Sequence, residues 1–204
     1  MELKKVIGVV LIVLGLVVLA YQAHWKDEFA RIATDIRGVV GPAAARIDHI
    51  GSTAVPGLGA KDVIDIQITV ADLDAVEEVT SPLRAAGFRG GTAFEYDVFH
   101  GKPPTDGELR KRFMREPEGA RRAHIHIRER GRFNQRYALL FRDYLRASEE
   151  VRAAYEVLKR RAAQLFPDDI DGYLSLKDPV LHIVYASASL WADKVGWTPD
   201  EDYV

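Results

Sequence analysis

Gly51 and Ser52 stand a short way upstream of Asp65, and the thirteen-residue step from Ser52 to Asp65 joins two parts of phosphate chemistry. A Gly-Ser pair leaving a strand lets the backbone approach a ligand closely, because glycine has no Cβ. The loop N–H groups and the Ser52 and Thr53 hydroxyls can then donate to phosphate oxygens. Asp65 lies in VIDIQITV, residues 63–70, whose strict alternation puts Val63, Asp65, Gln67 and Thr69 on one face of a strand. Carboxylates side by side on such a face are how a protein holds Mg²⁺ against a triphosphate. The second position here is Gln67, whose amide can ligate through its oxygen but brings no charge. That loss weakens a divalent site by about 1–4 kcal/mol for a contact near 4 Å. Glu95, alternating with Asp97 on the next expected strand, is the carboxylate available to restore it.

Three histidines add to the set. His49 precedes the Gly-Ser turn and either pins the loop through a hydrogen bond or contacts phosphate. His124 and His126 form an i, i+2 pair on one strand face, a geometry open to metal, phosphate or acid–base use and equally to a packed core histidine. Lys61 and Arg112 are candidate phosphate contacts, and each is also the plain structural partner that a buried Asp65 would need. Arg112 belongs to a basic cluster, Arg110, Lys111, Arg112, Arg115, Arg121 and Arg122. Such a cluster reads as a solvated rim or as a means of capturing an anion. Arg142 and Asp143 are adjacent on a helix, so they are expected to face different partners, with Arg142 bracing the site.

These residues need a scaffold. Trp25, Phe29, Ile32, Ile36 and Val39 recur at spacings of three and four, predicting a helix over 24–39 that Gly41 and Pro42 end. Strands are predicted over 45–50, 63–70 and 92–99, with a further pair over 110–115 and 123–128. Residues 51–61 form a Gly-, Ser- and Pro-rich loop. Helices are predicted over 73–86, 133–148, 149–165 and 179–194. Strands in the middle and helices in the last third make the class α/β (or α+β), with a helical part at the C-terminus.

With 204 residues the chain can bury one good core. A net charge of −2 gives no global basic field, which excludes a general nucleic-acid binder. Cysteine is absent, so disulfides, thiolate nucleophiles and cysteine zinc sites are excluded. A reducing cytoplasm fits this composition. The run from Val6 to Ala20 is uncharged and follows Lys4 and Lys5. Fifteen residues are few for a membrane span, no small-residue cleavage site follows, and β-branched residues are frequent. The segment is thus a buried element or a membrane anchor.

The run DHIGSTAVPGLGAKDVIDI, residues 48–66, resembles the segment that marks the GrpB family, also called UPF0157. AYQAHW, residues 20–25, is similar to that family's opening motif with both prolines replaced by alanine. Arg112-Phe113, the AHIHI run at 123–127 and FRDYLR at 141–146 are similar to its later motifs. The resemblance covers the chain from about Val18 to the C-terminal helices. It implies a nucleotidyltransferase-like mixed sheet flanked by helices, and the family also occurs fused to dephospho-CoA kinase. The implied division is an apolar segment at 1–20, a nucleotidyltransferase-like core at 21–130 and packed helices at 131–204.

Two functions follow as expectations. The first is Mg²⁺-dependent nucleotidyl or phosphoryl transfer on a small molecule. Here Gly51, Ser52, Thr53, His49, Lys61, Arg112 and His124 would hold phosphates, Asp65 with Gln67 or Glu95 the metal, and Asp65, Gln67 and His126 the catalytic positions. The second, favoured by Gln67, is a degenerate site that binds a nucleotide or other phosphorylated ligand without turnover, with membrane tethering through the N-terminal run as a variant.

Overall fold

The computed structural model of the chain describes residues 17–91, 95–99, 101–199 and 204. Five strands form one mixed sheet in the order β1 (Arg46–Ile50), β2 (Ile64–Val70), β5 (Ala123–Glu129), β4 (Arg112–Arg115), β3 (Arg89–Gly91). Only β2 and β5 run parallel; the other three pairings are antiparallel. The helices are α1 (His24–Val40), α2 (Glu77–Ala85), α3 (Phe133–Ala147), α4 (Glu149–Leu165) and α5 (Ile170–Val195). The expected mixed sheet flanked by helices, with a helical C-terminal part, is what forms.

Alternation along the strands makes two unlike faces. Ile47, Ile64, Ile66, Ile68, Met114, Ile125 and Ile127 point to one side and join Trp25, Phe29 and Ile36 of α1 and Val79 and Leu83 of α2 in the main core. The α1 stripe turns by one residue from the expected one. Ala33 and Val40 are buried, while Ile32 is half-buried and Val39 is exposed. The opposite sheet face is polar. In register across it stand Asp48, Gln67, His126 and Phe113, and beside them Ile50, Asp65, His124 and Arg115. Helix α3 packs against β1 and β5 on this side. Leu145 of α3, Tyr155 of α4 and Val184 of α5 close a second core with Val55 and Leu58 from the loop after β1.

Some elements differ from expectation for local reasons. Helix α5 starts at Ile170 because Asp169 caps it, accepting from the Gly172 N–H at 3.0 Å, and Pro179 is carried inside the helix rather than at its start. The strand expected over 92–99 falls partly outside the described residues. Its described part makes an isolated bridge, Tyr96 to Arg110, while the regular strand lies earlier, at Arg89–Gly91. Of the apolar N-terminal run, residues 6–16 lie outside the described residues. Its end packs on the fold: Leu19 bridges Ala60, and the Val18 carbonyl accepts from Arg160 at 2.9 Å. Among the described residues no helix is long and apolar enough to cross a membrane.

Candidate functional site

The loop between β1 and β2 is held from behind. Arg142 donates to the His49 carbonyl at 3.0 Å, Arg146 to the Ala54 carbonyl at 3.0 and 3.1 Å, and Lys159 to the Gly59 carbonyl. Three cations from α3 and α4 therefore pin one carbonyl at the end of β1 and two in the loop that follows it. Glu156 adds a fourth tie, accepting from the Gly59 N–H at 3.1 Å. Arg142 braces the loop as expected, but the expectation that Arg142 and Asp143 face different partners is corrected. The Arg142 Nε donates to Asp143 at 2.7 Å, because a guanidinium on a long stem folds back along the helix.

At the mouth of the loop Gly51 adopts φ 70° and ψ −170°, a region open to glycine almost alone. A Cβ there would meet the Asp65 carboxylate, with the Asp65 Cγ only 2.9 Å away. The missing Cβ of Gly51 is thus what lets the carboxylate lie over the turn. Asp65 is partly exposed, and its partner is His124, with Nδ1 at 3.3 Å from Oδ1. Neither Lys61 nor Arg112 fills that role. Ser52 receives a hydrogen bond from Lys159 Nζ at 3.0 Å.

Lysines gather around this mouth. Lys61 sits with Nζ 4.5 Å from the centre of the Tyr173 ring. Burial lowers its ammonium pKa, and the nearby Lys177 lowers it further while Asp65 opposes the shift. Burial brings Lys159 down to about 7, again helped by Lys177. Lys177 is lowered by its own burial, against the pull of Asp178 and Asp65. Lys159 and Lys177 carry no signal in the sequence. They come from helices about a hundred residues beyond the loop and become visible only when α4 and α5 fold back over it.

Other expected residues lie elsewhere. His49 points to the apolar side, where its ring stacks on Phe29 with centroids 4.7 Å apart and Nε2 lies 3.0 Å from the Thr53 hydroxyl. Burial holds its imidazole down to about 3, so it is neutral. Thr53 is buried by the same contact, and its hydroxyl also donates to the Val63 carbonyl at 3.4 Å. The pair pins the loop from inside the core. Arg112 leaves β4 on the side of α2 and pairs with Glu95 at 3.5 Å. Arg112 therefore lies across the sheet from Asp65, and Glu95 is engaged with it.

Gln67 is wholly buried. Its oxygen accepts from Arg128 at 2.7 Å and its nitrogen donates to the Gln135 carbonyl at 3.2 Å. His126 lies 3.5 Å from Lys111 Nζ and against Phe113. Burial first, then Arg128 and Lys111, hold its pKa well below the usual imidazole range, so it is neutral too. Asp97 is bound by Lys111 at 2.6 Å, Arg128 at 2.8 Å and Asn134 at 3.0 Å. Its burial would raise its pKa, but Arg128 and Lys111 outweigh that and keep it ionised.

Asp65 is not joined by Gln67 or Glu95 as a second carboxylate for Mg²⁺. Gln67 is committed at both ends, and Glu95 is paired with Arg112. Among the described residues a carboxylate–histidine group does form from His24, Glu28 and Asp62, all within 4.8 Å. Arg121 occupies it, bonding both Glu28 at 2.8 Å and Asp62, and Trp25 donates to Asp62 at 2.8 Å.

The sequence pattern described as GrpB protein matches residues 16–187. The chain belongs to the GrpB family. A UPF0157 protein of Streptomyces coelicolor is 34% identical over 168 residues, covering 82% of this chain and 81% of the relative. A protein named dephospho-CoA kinase from Mycolicibacterium paratuberculosis is 38% identical over 191 residues, covering 86% of this chain and 46% of the relative. This GrpB chain thus spans about half the length of the kinase-named relatives it matches. The crystal structure of a conserved GrpB protein from Enterococcus faecalis superposes with a TM-score of 0.69 at 28% identity, over 86% of this chain and 99% of that one. The family match over residues 16–187 takes in the whole sheet, the pinned loop and much of the helical part.

Proposed function

We propose that this GrpB chain binds the polyphosphate group of a nucleotide or other phosphorylated small molecule at the mouth formed by Gly51, Ser52 and Asp65. The observation that carries the reading is the Lys159 ammonium donating to the Ser52 hydroxyl at 3.0 Å at this mouth, with Lys61 and Lys177 near enough that each of the three is drawn electrostatically to Asp65 and that Lys177 disfavours the charge on the other two. A multiply charged anion relieves that repulsion and accepts from all three, while a neutral ligand does neither. Asp65 and His124 sit beside the phosphate, and Arg142 and Arg146 keep the loop in shape. Any Mg²⁺ that enters would rely on the ligand's own oxygens with Asp65 as its single protein carboxylate, so the reading is of binding with weak metal dependence.

Thermal stabilisation of the full chain by inorganic tripolyphosphate, with and without Mg²⁺, tests this. A rise in melting temperature that survives chelation and is lost in Lys177→Met supports it. An unchanged melting temperature at millimolar tripolyphosphate removes it.

A second reading, turnover of the bound phosphate, is favoured by the Asp65–His124 contact. A carboxylate on Nδ1 orients the ring and leaves Nε2 as the proton-transferring atom. Under that reading the acid–base group is His124 rather than the buried His126. Phosphorus NMR of nucleoside triphosphates incubated with the chain and with His124→Asn separates it from simple binding. Products formed equally by both proteins exclude His124 from the role.

A further inference from the structure

Beyond the phosphate mouth, the polar face continues into a cavity of about 180 Å³ between the 95–99 segment, α3 and α5. Its walls are mainly aromatic and apolar: Phe99, Phe133, Tyr137, Leu181 and His182. Phe99 stands edge-on to Phe133, Tyr137 and His182, with centroids 4.7, 5.4 and 4.2 Å away. The floor is polar. Arg128 is already engaged by Gln67 and Asp97. Asn134 is buried with its amide nitrogen donating to Asp97 at 3.0 Å and to the Arg110 carbonyl at 3.0 Å. Two acceptors facing that nitrogen fix the orientation of the amide. The Asn134 oxygen is left without a donor among the described residues. The Asp178 carboxylate lines the rim and is 46% exposed.

We infer that this cavity takes the nucleobase of a nucleotide whose phosphates lie at the Gly51–Ser52 mouth. The inference rests on the phosphate-binding reading above and names its substrate class. Three features select the ring. Aromatic walls favour a flat partner that presents a face or an edge. Arg128 and Asp97 neutralise each other at the floor, so that end of the cavity does not call for an ionic guest. A purely apolar guest would strip water from Asp178 while leaving the Asn134 oxygen unmatched, whereas a base offers N–H donors on its edge.

The spacing suits one molecule. Along β5, His124 flanks the mouth and Arg128 the cavity, four residues and about 13 Å apart at the rise of a strand, which is the scale of an extended nucleoside polyphosphate. The two places are also joined on α5. Lys177 feels Asp65 at the mouth, while the next residue, Asp178, lines the cavity.

Calorimetric titration of the full chain with tripolyphosphate, adenosine triphosphate and uridine triphosphate at fixed Mg²⁺ decides it. At least one nucleoside triphosphate is expected to bind tenfold or more tightly than tripolyphosphate. Leu181→Trp, which fills the cavity and leaves the lysines in place, should erase that advantage and keep the tripolyphosphate affinity. Equal affinity of all three ligands for the unaltered chain overturns the inference and leaves the phosphate reading intact. A nucleoside advantage that persists in Leu181→Trp overturns it as well. Failure of every ligand, tripolyphosphate included, removes both readings together. The ligand series on the unaltered chain stands even if the variant does not fold.

Discussion

Arg128 Nη1 donates to Gln67 Oε1 at 2.7 Å across the parallel pair of strands, while its Nε donates to Asp97 at 2.8 Å. One guanidinium thereby joins the centre of the polar sheet face to the 95–99 segment. Gln67 suits this place because it offers an acceptor to Arg128 and a donor to the Gln135 carbonyl at once. Gln67→Leu would remove the acceptor of the Arg128 Nη1 group and the donor to the Gln135 carbonyl in a buried place, and is expected to destabilise the chain by about 2–4 kcal/mol. Gln67→Glu keeps the Arg128 contact and loses only the donor to Gln135, so its cost should be smaller, about 1–2 kcal/mol. Urea midpoints compare the two; equal losses would show that the Arg128 contact carries nothing.

Gly51→Ala tests the close approach of the loop to Asp65. The substitution forces an L side chain into φ 70° and drives its Cβ against the carboxylate. A loss of about 2–4 kcal/mol is expected, of which about 1–3 kcal/mol is backbone strain. Asp65→Ala in the same chain removes the collision with the carboxylate but not the strain, so the double variant should recover part of the loss. Strict additivity in denaturant unfolding would place the whole effect in the backbone.

Lys159 gives the mouth a pH dependence near neutrality. Its pKa is lowered to about 7 by burial and by Lys177. Between pH 7 and its ordinary value the unfolded chain holds a proton that the folded chain has released, so this group makes stability rise with pH over that window. Phosphate binding takes the opposite sign. An anion needs the ammonium form, so tripolyphosphate affinity should fall as pH rises above 7, by up to tenfold per unit until the pKa of the complex is passed. Lys159→Arg stays charged and should flatten the curve between pH 7 and 9. A parallel fall in both proteins would assign the effect to another group.

His49 sets a second, lower window. Burial holds its pKa at about 3 in the fold, whereas the unfolded chain protonates it near 6.5. Its folded-state pKa is the lower one, so the unfolded state binds more protons and stability is lost as pH falls from 6.5 toward 3. The slope approaches about 1.4 kcal/mol per unit. His49→Gln removes that slope at the cost of the Phe29 stack. Guanidinium unfolding at pH 7, 6 and 5 reads the difference, and an equal slope in both proteins would rule His49 out as its source.

Sequence reasoning reached the sheet more fully than the site. The alternation of residues 63–70 was enough to place Asp65 and Gln67 on one face, because a strand's period is fixed by its backbone. The Gly-Ser turn was legible for the same local reason. Partners were not. His49 is next in sequence to the loop yet faces the core, since strand alternation sends neighbours to opposite sides. Arg112 and Glu95 read as site residues by charge, but the register of β4 carries Arg112 to the α2 side. Lys159 has no local pattern that marks it out in the predicted helix over 149–165. It is buried because α4 folds onto the loop, a contact that no local pattern encodes. FRDYLR was recognised as a motif, and its physical task emerges only in three dimensions: two arginines one helical turn apart reach the carbonyls of His49 and Ala54.

The pinned loop has a consequence for how a ligand arrives. Gly59 is wedged so tightly that a Cβ would strike the Leu19 carbonyl, Glu156 and Arg160, and Lys159 already spends its protons on Gly59 and Ser52. The segment is a fixed socket, not a flap that wraps its guest. Under the phosphate-binding reading, an incoming oxyanion would take over the ammonium protons that Ser52 and the Gly59 carbonyl hold while the backbone stays still. The rate of departure would then be governed by how readily Lys159 returns to those two oxygens.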